Sequence, residues 1–164
     1  MGKKKQSQSV AQVENGFKVV QVNKKARYDY EIVEVFEAGI VLAGSEVKSI
    51  RGGEVNLKES YVKFKGDELF LVGCHISPYS HSRVDAHDPI RDKKLLMHRR
   101  EIDKLIGKIQ QKGLTIVPLR LYFKQGRCKV EIGLGRGKKL HDKRQDMKTR
   151  EAVRDMARAM HGRG

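Results

Sequence analysis

The sequence predicts a mainly β fold, a small antiparallel barrel with one long helix and one or two short helices. Three observations support this prediction: short strand-like segments recur between turn signals, one longer segment has helical spacing, and charge concentrates at the two ends of the chain. We therefore divide the 164 residues into a basic, disordered N-terminus over residues 1–16, a barrel domain over residues 17–135, and a basic C-terminal tail over residues 136–164 that is disordered until it binds a partner.

The predicted strands combine apolar and polar residues in the alternation expected of half-buried sheet. Tyr28, Tyr30 and Ile32 alternate with acidic residues. A Gly-Asp pair between two apolar runs is typical of a hairpin, and a second turn, at residues 124–127, separates the last two predicted strands. On this basis we predict strands at residues 28–36, 61–64, 69–72, 114–123 and 128–134.

Two helices are predicted within the barrel domain. Ser45 has the side chain of an N-cap, and consecutive glycines end a short helix over residues 46–51. A long helix is predicted from its N-cap, Asp92, to Lys112, with Gly113 as its stop. Its apolar stripe predicts that this helix covers a sheet, and the stripe consists of Leu95, Ile102, Leu105, Ile106 and Ile109.

In a helical projection, two residues near the start of this long helix lie outside the apolar stripe or at its edge. Leu96 points away from the stripe, so it either packs under a loop or forms an exposed apolar contact. His98 lies near the edge of the stripe, where a semi-buried histidine is the ordinary expectation.

A turn-rich segment from Ser77 to Arg91 is the longest predicted loop of the domain, and loops of this length are often functional. Five or six short antiparallel strands, one covering helix and such a loop favour a barrel of the oligonucleotide-binding type. The faces and loops of these barrels commonly bind nucleic acid.

The net charge of +15 is distributed unevenly. Residues 1–27 carry seven Lys or Arg and one acid, and residues 136–164 carry ten Lys or Arg and four acids. The central region is almost neutral by comparison. A nearly neutral body with two cationic arms indicates contact with a polyanion at more than one place.

The tail has the spacing of a helix that forms only on binding. Gly133, Gly135 and Gly137 alternate before it and predict a flexible joint. A narrow apolar stripe includes Val153 and Met160. Beside it Arg150, Arg154 and Arg158 repel one another at i+4 spacing, a repulsion that phosphates would turn into attraction. The alternative is a solvated, charge-rich C-terminus without a partner.

Other classes of protein are disfavoured. No apolar run reaches the length of a membrane span, and no apolar stretch follows the basic start, so we expect a cytosolic protein without membrane contact. The two cysteines are expected to be buried reduced thiols. Loop histidines such as His75, His81 and His87 fit no metal-ligand spacing, and no phosphate loop or nucleophile motif occurs. We therefore predict no metal, no cofactor and no catalysis.

Several strings, taken in order, closely resemble one bacterial family, small protein B, the SsrA-binding protein that partners transfer-messenger RNA. The ordered set is highly specific, although any one string would be weak. The strings are Asn23–Tyr30 (NKKARYDY), Phe36–Arg51 (FEAGIVLAGSEVKSIR), His75–Tyr79 (HISPY), Lys94–Ile102 (KLLMHRREI), Val117–Leu119 (VPL) and Gly137–Arg144 (GKKLHDKR).

The resemblance implies an oligonucleotide-binding barrel that acts as an adaptor in trans-translation. Its body would bind the tRNA-like domain of transfer-messenger RNA, with Glu37 as a hydrogen-bonding carboxylate and Tyr30 as a stacking surface. Leu96 and His98 match positions that contact the RNA. The residues expected to contact phosphates are Asn23, Lys24, Lys25 and Arg27.

For the tail, the resemblance implies a place in the empty decoding site and message channel of a stalled ribosome. His141 would stack on a base of the decoding centre, and Met160 lies on the apolar face of the tail helix. The other residues assigned to ribosome binding are Lys138, Lys139, Asp142, Lys143, Arg144, Arg150 and Arg154.

The same resemblance implies the remaining partners, and one rival function stands beside it. Elongation factor Tu would take part indirectly, through alanylated transfer-messenger RNA, and the protein would act as a monomer whose work leads to tagging of the stalled peptide for degradation. The rival is a constitutive ribosomal or ribosome-assembly protein, which would also be small, basic and tailed.

Overall fold

The computed structural model describes residues 16–78, 87–138 and 140–161. The predicted disorder of residues 1–15, the middle of the long loop with His81, and Lys139 lie outside the described residues. Within those residues the elements are β1 Phe17–Val22, α1 Lys24–Asp29, β2 Tyr30–Ile40, α2 Gly44–Arg51, β3 Val55–Asn56, β4 Tyr61–Lys65, β5 Glu68–Val72, β6 His75–Ile76, β7 Lys93–Leu96, α3 Arg99–Lys112, β8 Thr115–Lys124, β9 Arg127–Gly137 and α4 Leu140–His161.

Antiparallel pairing joins seven of these strands into one sheet, in the order β1-β8-β9-β2-β7-β5-β4. Strands β3 and β6 form a separate antiparallel pair. Edge strand β4 also packs next to β8, so the sheet curls round and encloses its interior. The prediction of a mainly antiparallel β fold with a few helices is confirmed.

The main core fills the inside of this curled sheet. Leu69, Leu71 and Leu95 contribute to it from β5 and β7, while Ile132 and Leu134 contribute from β9. Helix α3 adds Leu105, which is fully buried, as expected from the apolar stripe of that helix.

A second apolar cluster lies under α1, on the outer side of the same sheet. Ala26 packs there against Val117 and Leu119, with Tyr30 and Ile32 beside them. Strand β8 is therefore buried on both faces, which explains its almost continuous apolar sequence.

Gly133 and Gly135 belong to this second cluster and do not form the predicted flexible joint. A Cβ at Gly133 would lie 2.9 Å from Leu119 Cδ1 and 3.0 Å from Ile32 Cγ2. Both glycines are buried and paired within β9, which continues to Gly137, two residues beyond the predicted end of the domain. Their function is to let neighbouring side chains approach the strand closely.

The predicted long helix is corrected at its N-terminal end. Lys93–Leu96 form strand β7, which pairs with β5 and β2, and α3 begins only at Arg99, with His98 as its N-cap. Residues 93 and 95 are buried, whereas Leu96 is exposed, which is the two-residue period of a strand. Hydrogen bonds to a strand on each side outweigh the local helical spacing.

The start of the domain differs from the prediction as well. Residues 17–22 form an additional strand against β8, and the segment predicted as a strand from Tyr28 begins with helix α1, so that β2 starts at Tyr30. Helix α2 starts at Gly44 with Ala43 as its N-cap, so Ser45 is not the cap and lies in the first turn.

The two predicted hairpins are confirmed. Strands β4 and β5 pair across Gly66, and β8 and β9 pair across Gln125 and Gly126, which have φ values of 50° and 77°. Two successive positive φ values are typical of the tight turns that match the twist of hairpin strands.

Helix α4 carries the tail away from the sheet. Its distal half is exposed on all sides, and Met160 has 79% of its surface accessible. That this segment is helical only when a partner is bound stays a prediction. None of the helices described is long and apolar enough to cross a membrane.

Candidate nucleic-acid interface

An open groove lies on the outer side of the sheet, where β2, β7, β9 and the start of α3 meet. Its volume is about 420 Å³. Three of the predicted RNA contacts, Glu37, Leu96 and His98, come together in it. We call it the Glu37 groove, and it is lined by Glu37, Gly39, Leu96, Met97, His98, Glu101 and Lys129.

Strand pairing explains why these side chains share one surface. Gly39 of β2 lies opposite Leu96 on one side and opposite Lys129 on the other. Glu37 is two residues before Gly39 and therefore projects from the same face. A Cβ at Gly39 would lie 3.3 Å from the Cβ of Leu96, so the glycine keeps the floor of the groove low.

Leu96 and His98 are both exposed in this groove. Leu96 has 51% of its surface accessible, which is the exposed one of the two alternatives that the helical projection left open, and the cause is its outward position in β7. His98 was predicted to be semi-buried, and this is wrong, because the residue precedes α3 and is exposed. Both side chains can therefore reach a ligand in the groove.

One hydroxyl donor and one cation hold the carboxylate of Glu37. Tyr122 Oη donates a hydrogen bond to Glu37 Oε2, and Lys124 Nζ lies 3.4 Å from the same oxygen. The hydrogen bond from Tyr122 is the main reason why the pKa of Glu37 lies below its ordinary value, and the charges of Lys124 and Lys129 add to it. Glu37 is thus an anionic hydrogen-bond acceptor within a cationic surface.

Helix α1 presents a basic surface next to a second cavity. Lys24, Lys25 and Arg27 are all exposed on this short helix. Lys25 contacts Glu59 at 3.1 Å, and Arg27 contacts Glu131 at 3.5 Å. Exposed pairs of this kind are weak enough to exchange for phosphate contacts.

The second cavity has a volume of about 270 Å³ and adds Lys58 from the segment after β3 to the two lysines of α1. No local pattern joins Lys58 to this site, because it lies 33 residues after Lys25 along the chain. Three lysines around one concave surface give it the charge that suits a phosphate backbone.

Asn23 does not fit its predicted phosphate contact. Its side chain is buried, accepts a hydrogen bond from Ala26 N at 3.2 Å, and donates to the carbonyl oxygens of Pro118 and Leu57 at 2.9 and 3.3 Å. The side chain caps α1 and fixes it to the sheet. Asn23 therefore places the basic residues of α1 and is not itself on the surface.

Tyr30 is half-buried in the second apolar cluster. Its Cβ lies 3.0 Å from the position that a Cβ at Gly135 would take. The side chain packs against the cluster of Ala26, Val117 and Leu119, and the predicted stacking on a base stays a prediction.

The tail begins against α1. Lys138 Nζ donates to Arg27 O at 3.1 Å, and Lys143 Nζ lies 3.0 Å from Asp29 Oδ1 and 5.5 Å from the centre of the Tyr28 ring. His141 and Asp142 lie in the first turn of α4. The exposed tail residues of the predicted set are Arg144, Arg150, Arg154 and Met160.

Several residues that complete the interface were not predicted from the sequence. Arg120, Tyr122 and Lys124 alternate along β8 and all project toward the outer face. Their spacing at every second residue is a signal that could have identified them. Phe17 of the unpredicted strand β1 stacks on Tyr122, with ring centres 4.7 Å apart.

Known proteins similar to this chain share most of its length. The family described as SmpB protein matches residues 20–162. The SsrA-binding protein of Thermosynechococcus vestitus is 54% identical over 150 residues, which cover 91% of this chain and 99% of that protein. The SsrA-binding protein of Acetivibrio thermocellus is 56% identical over 143 residues, which cover 87% of this chain and 93% of that protein.

A chain in a solved structure, described as "tmRNA-SmpB: a journey to the center of the bacterial ribosome", is also similar. It is 49% identical, with a TM-score of 0.61, and the similarity covers 73% of this chain and 85% of that one.

Proposed function

The chain belongs to the SmpB protein family, and from this premise we propose that it is an RNA-binding adaptor of trans-translation. Its body binds the tRNA-like domain of transfer-messenger RNA and delivers that RNA to stalled ribosomes. Its tail occupies the empty decoding site and the message channel, so that the nascent peptide is tagged for degradation.

The observation that carries the proposal is the Glu37 groove. It unites Glu37, Leu96 and His98, which the family resemblance assigns to RNA contact, although they come from different elements of the chain. An anionic acceptor, an apolar side chain and an imidazole in one concavity can distinguish a nucleoside from a bare phosphate. The lysines of α1 supply the phosphate contacts that position the RNA.

The geometry of the tail supports a second binding site that is separate from the groove. Arg150 and Arg154 lie on an exposed helix that leaves the sheet, at a distance from the groove residues along the chain. Such a helix can enter a channel of ribosomal RNA while the body holds another RNA. We assign Lys138, Lys139, Lys143 and Arg144 to the phosphates near its entrance, and His141 to stacking on a base of the decoding centre.

The oligomeric state, the location and the remaining partner belong to the same proposal. The protein acts as a monomer in the cytoplasm and has no catalytic activity of its own. Elongation factor Tu joins only through the alanylated transfer-messenger RNA.

A truncation tests the division between body and tail. We propose to end the chain after Lys138, because β9 extends to Gly137 and Lys138 N donates to Asp29 O at 2.9 Å. The truncated protein should bind the tRNA-like RNA with nearly the affinity of the full chain but should not support tagging in a reconstituted translation system. Loss of most of the RNA affinity on truncation would contradict the division.

A substitution in the groove tests the RNA site itself. Glu37→Ala should weaken binding of the tRNA-like RNA by about 10-fold or more, because a charge-assisted hydrogen bond is worth roughly 1.5–3 kcal/mol. Glu31→Ala is the matched control, since Glu31 is an exposed acid near the start of the same strand. Circular dichroism should show both variants folded, and equal affinity of the two would place the RNA elsewhere.

The rival function, a constitutive ribosomal or ribosome-assembly protein, predicts a different fractionation. Ribosomes washed in high salt should release an adaptor, which then copurifies with one small RNA. A permanent component would stay with the particle.

A further inference from the structure

Tyr122 is a buried residue whose polar atom reaches the outer surface of the sheet. Only 2% of its surface is accessible, yet its hydroxyl donates to Glu37 Oε2 in the Glu37 groove. A phenylalanine would fill the same apolar space. The hydroxyl therefore has a role beyond packing, and it donates its hydrogen bond to the Glu37 carboxylate.

The ring of Tyr122 is fixed from two directions. Phe17 lies against it with an angle of 38° between the rings, and the guanidinium carbon of Arg120 lies 5.1 Å from the ring centre. A ring held in this way cannot move its hydroxyl far from one position. Glu37 is thus tied to a rigid part of the fold.

Arg120 extends the same network toward α1. Its Nε donates to Glu131 Oε2 at 2.8 Å, and the other oxygen of Glu131 lies 3.5 Å from Arg27 Nη2. The network thus connects the basic helix with the groove through contacts across β8 and β9. Arg27 and Glu37 are thus connected through three residues that lie far from both along the chain, Glu131, Arg120 and Tyr122.

The contacts leave one oxygen of Glu37 available. Tyr122 and Lys124 both use Oε2, and no contact of Oε1 is recorded within the described part of the chain. Without Tyr122 the Glu37 side chain on this exposed face would rotate among several rotamers. A ligand would then have to order the side chain before it could use the carboxylate.

We propose that Tyr122 is the positioning residue of the Glu37 groove, and that it fixes Glu37 so that one carboxylate oxygen accepts a hydrogen bond from a base amine, an imino group or a ribose hydroxyl of the RNA. The inference rests on the proposed function and names how the groove selects a nucleoside. Burial and the hydrogen bond to Glu37 also raise the pKa of Tyr122, so its hydroxyl keeps its proton and remains a donor.

Affinity for the tRNA-like RNA tests this role in full-length variants. Tyr122→Phe should weaken binding about 3- to 10-fold, the range that corresponds to loss of one hydrogen bond. Glu37→Gln should weaken it at least as much. The double variant should bind no more weakly than Glu37→Gln alone, since both changes disrupt one unit.

Two further full-length variants are needed. Tyr61→Phe is the control, and Glu37→Asp is a second test of the contact with Tyr122. Tyr61→Phe removes a hydroxyl from an exposed tyrosine on edge strand β4 and should leave affinity unchanged. Glu37→Asp keeps the charge but withdraws the carboxylate from Tyr122, and should lose affinity as Tyr122→Phe does. This arm decides the question if Tyr122→Phe does not fold.

A measurement without RNA separates positioning from a general structural effect. A carbon-detected NMR titration of the glutamate carboxyl groups should show a higher pKa of Glu37 in Tyr122→Phe than in the wild type. Tyr61→Phe should leave that pKa unchanged. A loss of packing alone would not move the titration of this one group.

The outcomes are distinguishable. Wild-type affinity in Tyr122→Phe or Glu37→Asp, additive effects in the double variant, or an unchanged Glu37 titration would each overturn the inference while the adaptor function stands. If the wild-type chain bound the tRNA-like RNA no better than an unrelated hairpin of equal length, the proposed function would fail, and the inference with it.

Discussion

Lys143 Nζ lies 3.0 Å from Asp29 Oδ1, and this ion pair attaches the first turn of the tail helix to the end of α1. Tyr28 strengthens the same junction, because its hydroxyl lies 3.4 Å from Met147 Sδ and its ring lies under the Lys143 ammonium group. Helix α1 therefore presents exposed basic residues on one side and holds the tail on the other. The direction of the tail is set at this junction.

Removing the negative charge of Asp29 should loosen the start of the tail helix. The pair is about a quarter exposed on each side, so its contribution is about 0.5–1 kcal/mol. Asp29→Asn should speed amide hydrogen exchange in the first two turns of α4 by about 2- to 5-fold. Asp67→Asn, at the exposed pair with Arg99, is the control, and equal exchange in both variants would argue against the junction.

Adding a methyl group at Gly133 should destabilise the sheet. The new Cβ would lie 2.9 Å from Leu119 Cδ1 and 3.0 Å from Ile32 Cγ2, so these side chains would have to shift, and Leu119 is fully buried. We expect Gly133→Ala to lower the free energy of unfolding by about 1–3 kcal/mol in urea titration. Gly137→Ala is the matched control at the end of the same strand. Its added Cβ would meet no atom of the described residues within 4 Å, apart from those of its own chain neighbours. If both variants unfolded alike, a flexible joint would be the better description of these glycines.

Glu46 should be among the most sensitive polar positions of the domain. It is fully buried, accepts from Ala43 N at 2.8 Å, and lies 2.5 Å from Arg91 Nη2. Burial lowers the pKa of the neighbouring Lys93, whose ammonium group donates to Cys74 O at 3.0 Å. Glu46→Ala would leave these cations without the buried carboxylate.

We expect Glu46→Ala to lower the free energy of unfolding by about 1–3 kcal/mol, because it removes the buried carboxylate that accepts from Ala43 N and from the partly exposed Arg91. Denaturant titration measures it, and Glu54→Ala, an exposed acid just after the same helix, is the control. A loss below about 1 kcal/mol would mean that the cations find other partners.

Glu34 should make the stability depend on pH in the acid range. It accepts hydrogen bonds from Lys104, at 2.8 Å, and from Lys108, and these bonds hold its pKa below the ordinary value of 4.5. The unfolded chain therefore binds a proton more readily than the folded one. The stabilisation is complete above about pH 5.5 and is lost as the pH falls through the lowered pKa.

Glu34→Gln should therefore be less stable than the wild type by about 0.5–1 kcal/mol near neutral pH, and the difference should shrink below about pH 4. Thermal unfolding at several pH values measures this trend. A constant difference between Glu34→Gln and the wild type across the whole pH range would exclude the ionised pair as its cause.

Residues 92–98 illustrate where local patterns stop being sufficient. Their apolar spacing suits a helix, and the same residues suit a strand with Leu95 inside and Leu96 outside. The choice depends on β5 and β2, which supply hydrogen bonds from residues 22 or more positions away. A local window contains none of these partners. The local pattern therefore places the start of α3 too early and predicts a semi-buried His98.

Asn23 and Tyr122 show the same limit within the interface. The family resemblance assigns Asn23 to a phosphate contact, but its amide is directed inward to Pro118 O, 95 positions away. The alternation along β8 can place Tyr122 on the outer face but does not reveal its contact with Glu37, which is 85 positions away. By contrast, Glu37, Leu96 and His98 were identified through the family resemblance and lie together in the groove.

The sequence by itself determined the mainly β class, the two hairpin turns, the position of the tail and the concentration of positive charge at the ends of the chain. These features depend on composition, on local periodicity and on backbone preferences that neighbouring residues impose. Only the tertiary structure decided which side chains meet in the Glu37 groove, that Gly133 and Gly135 serve packing, and that α1 holds the tail. Each of these depends on strand pairing and close packing between distant residues, which no local pattern contains.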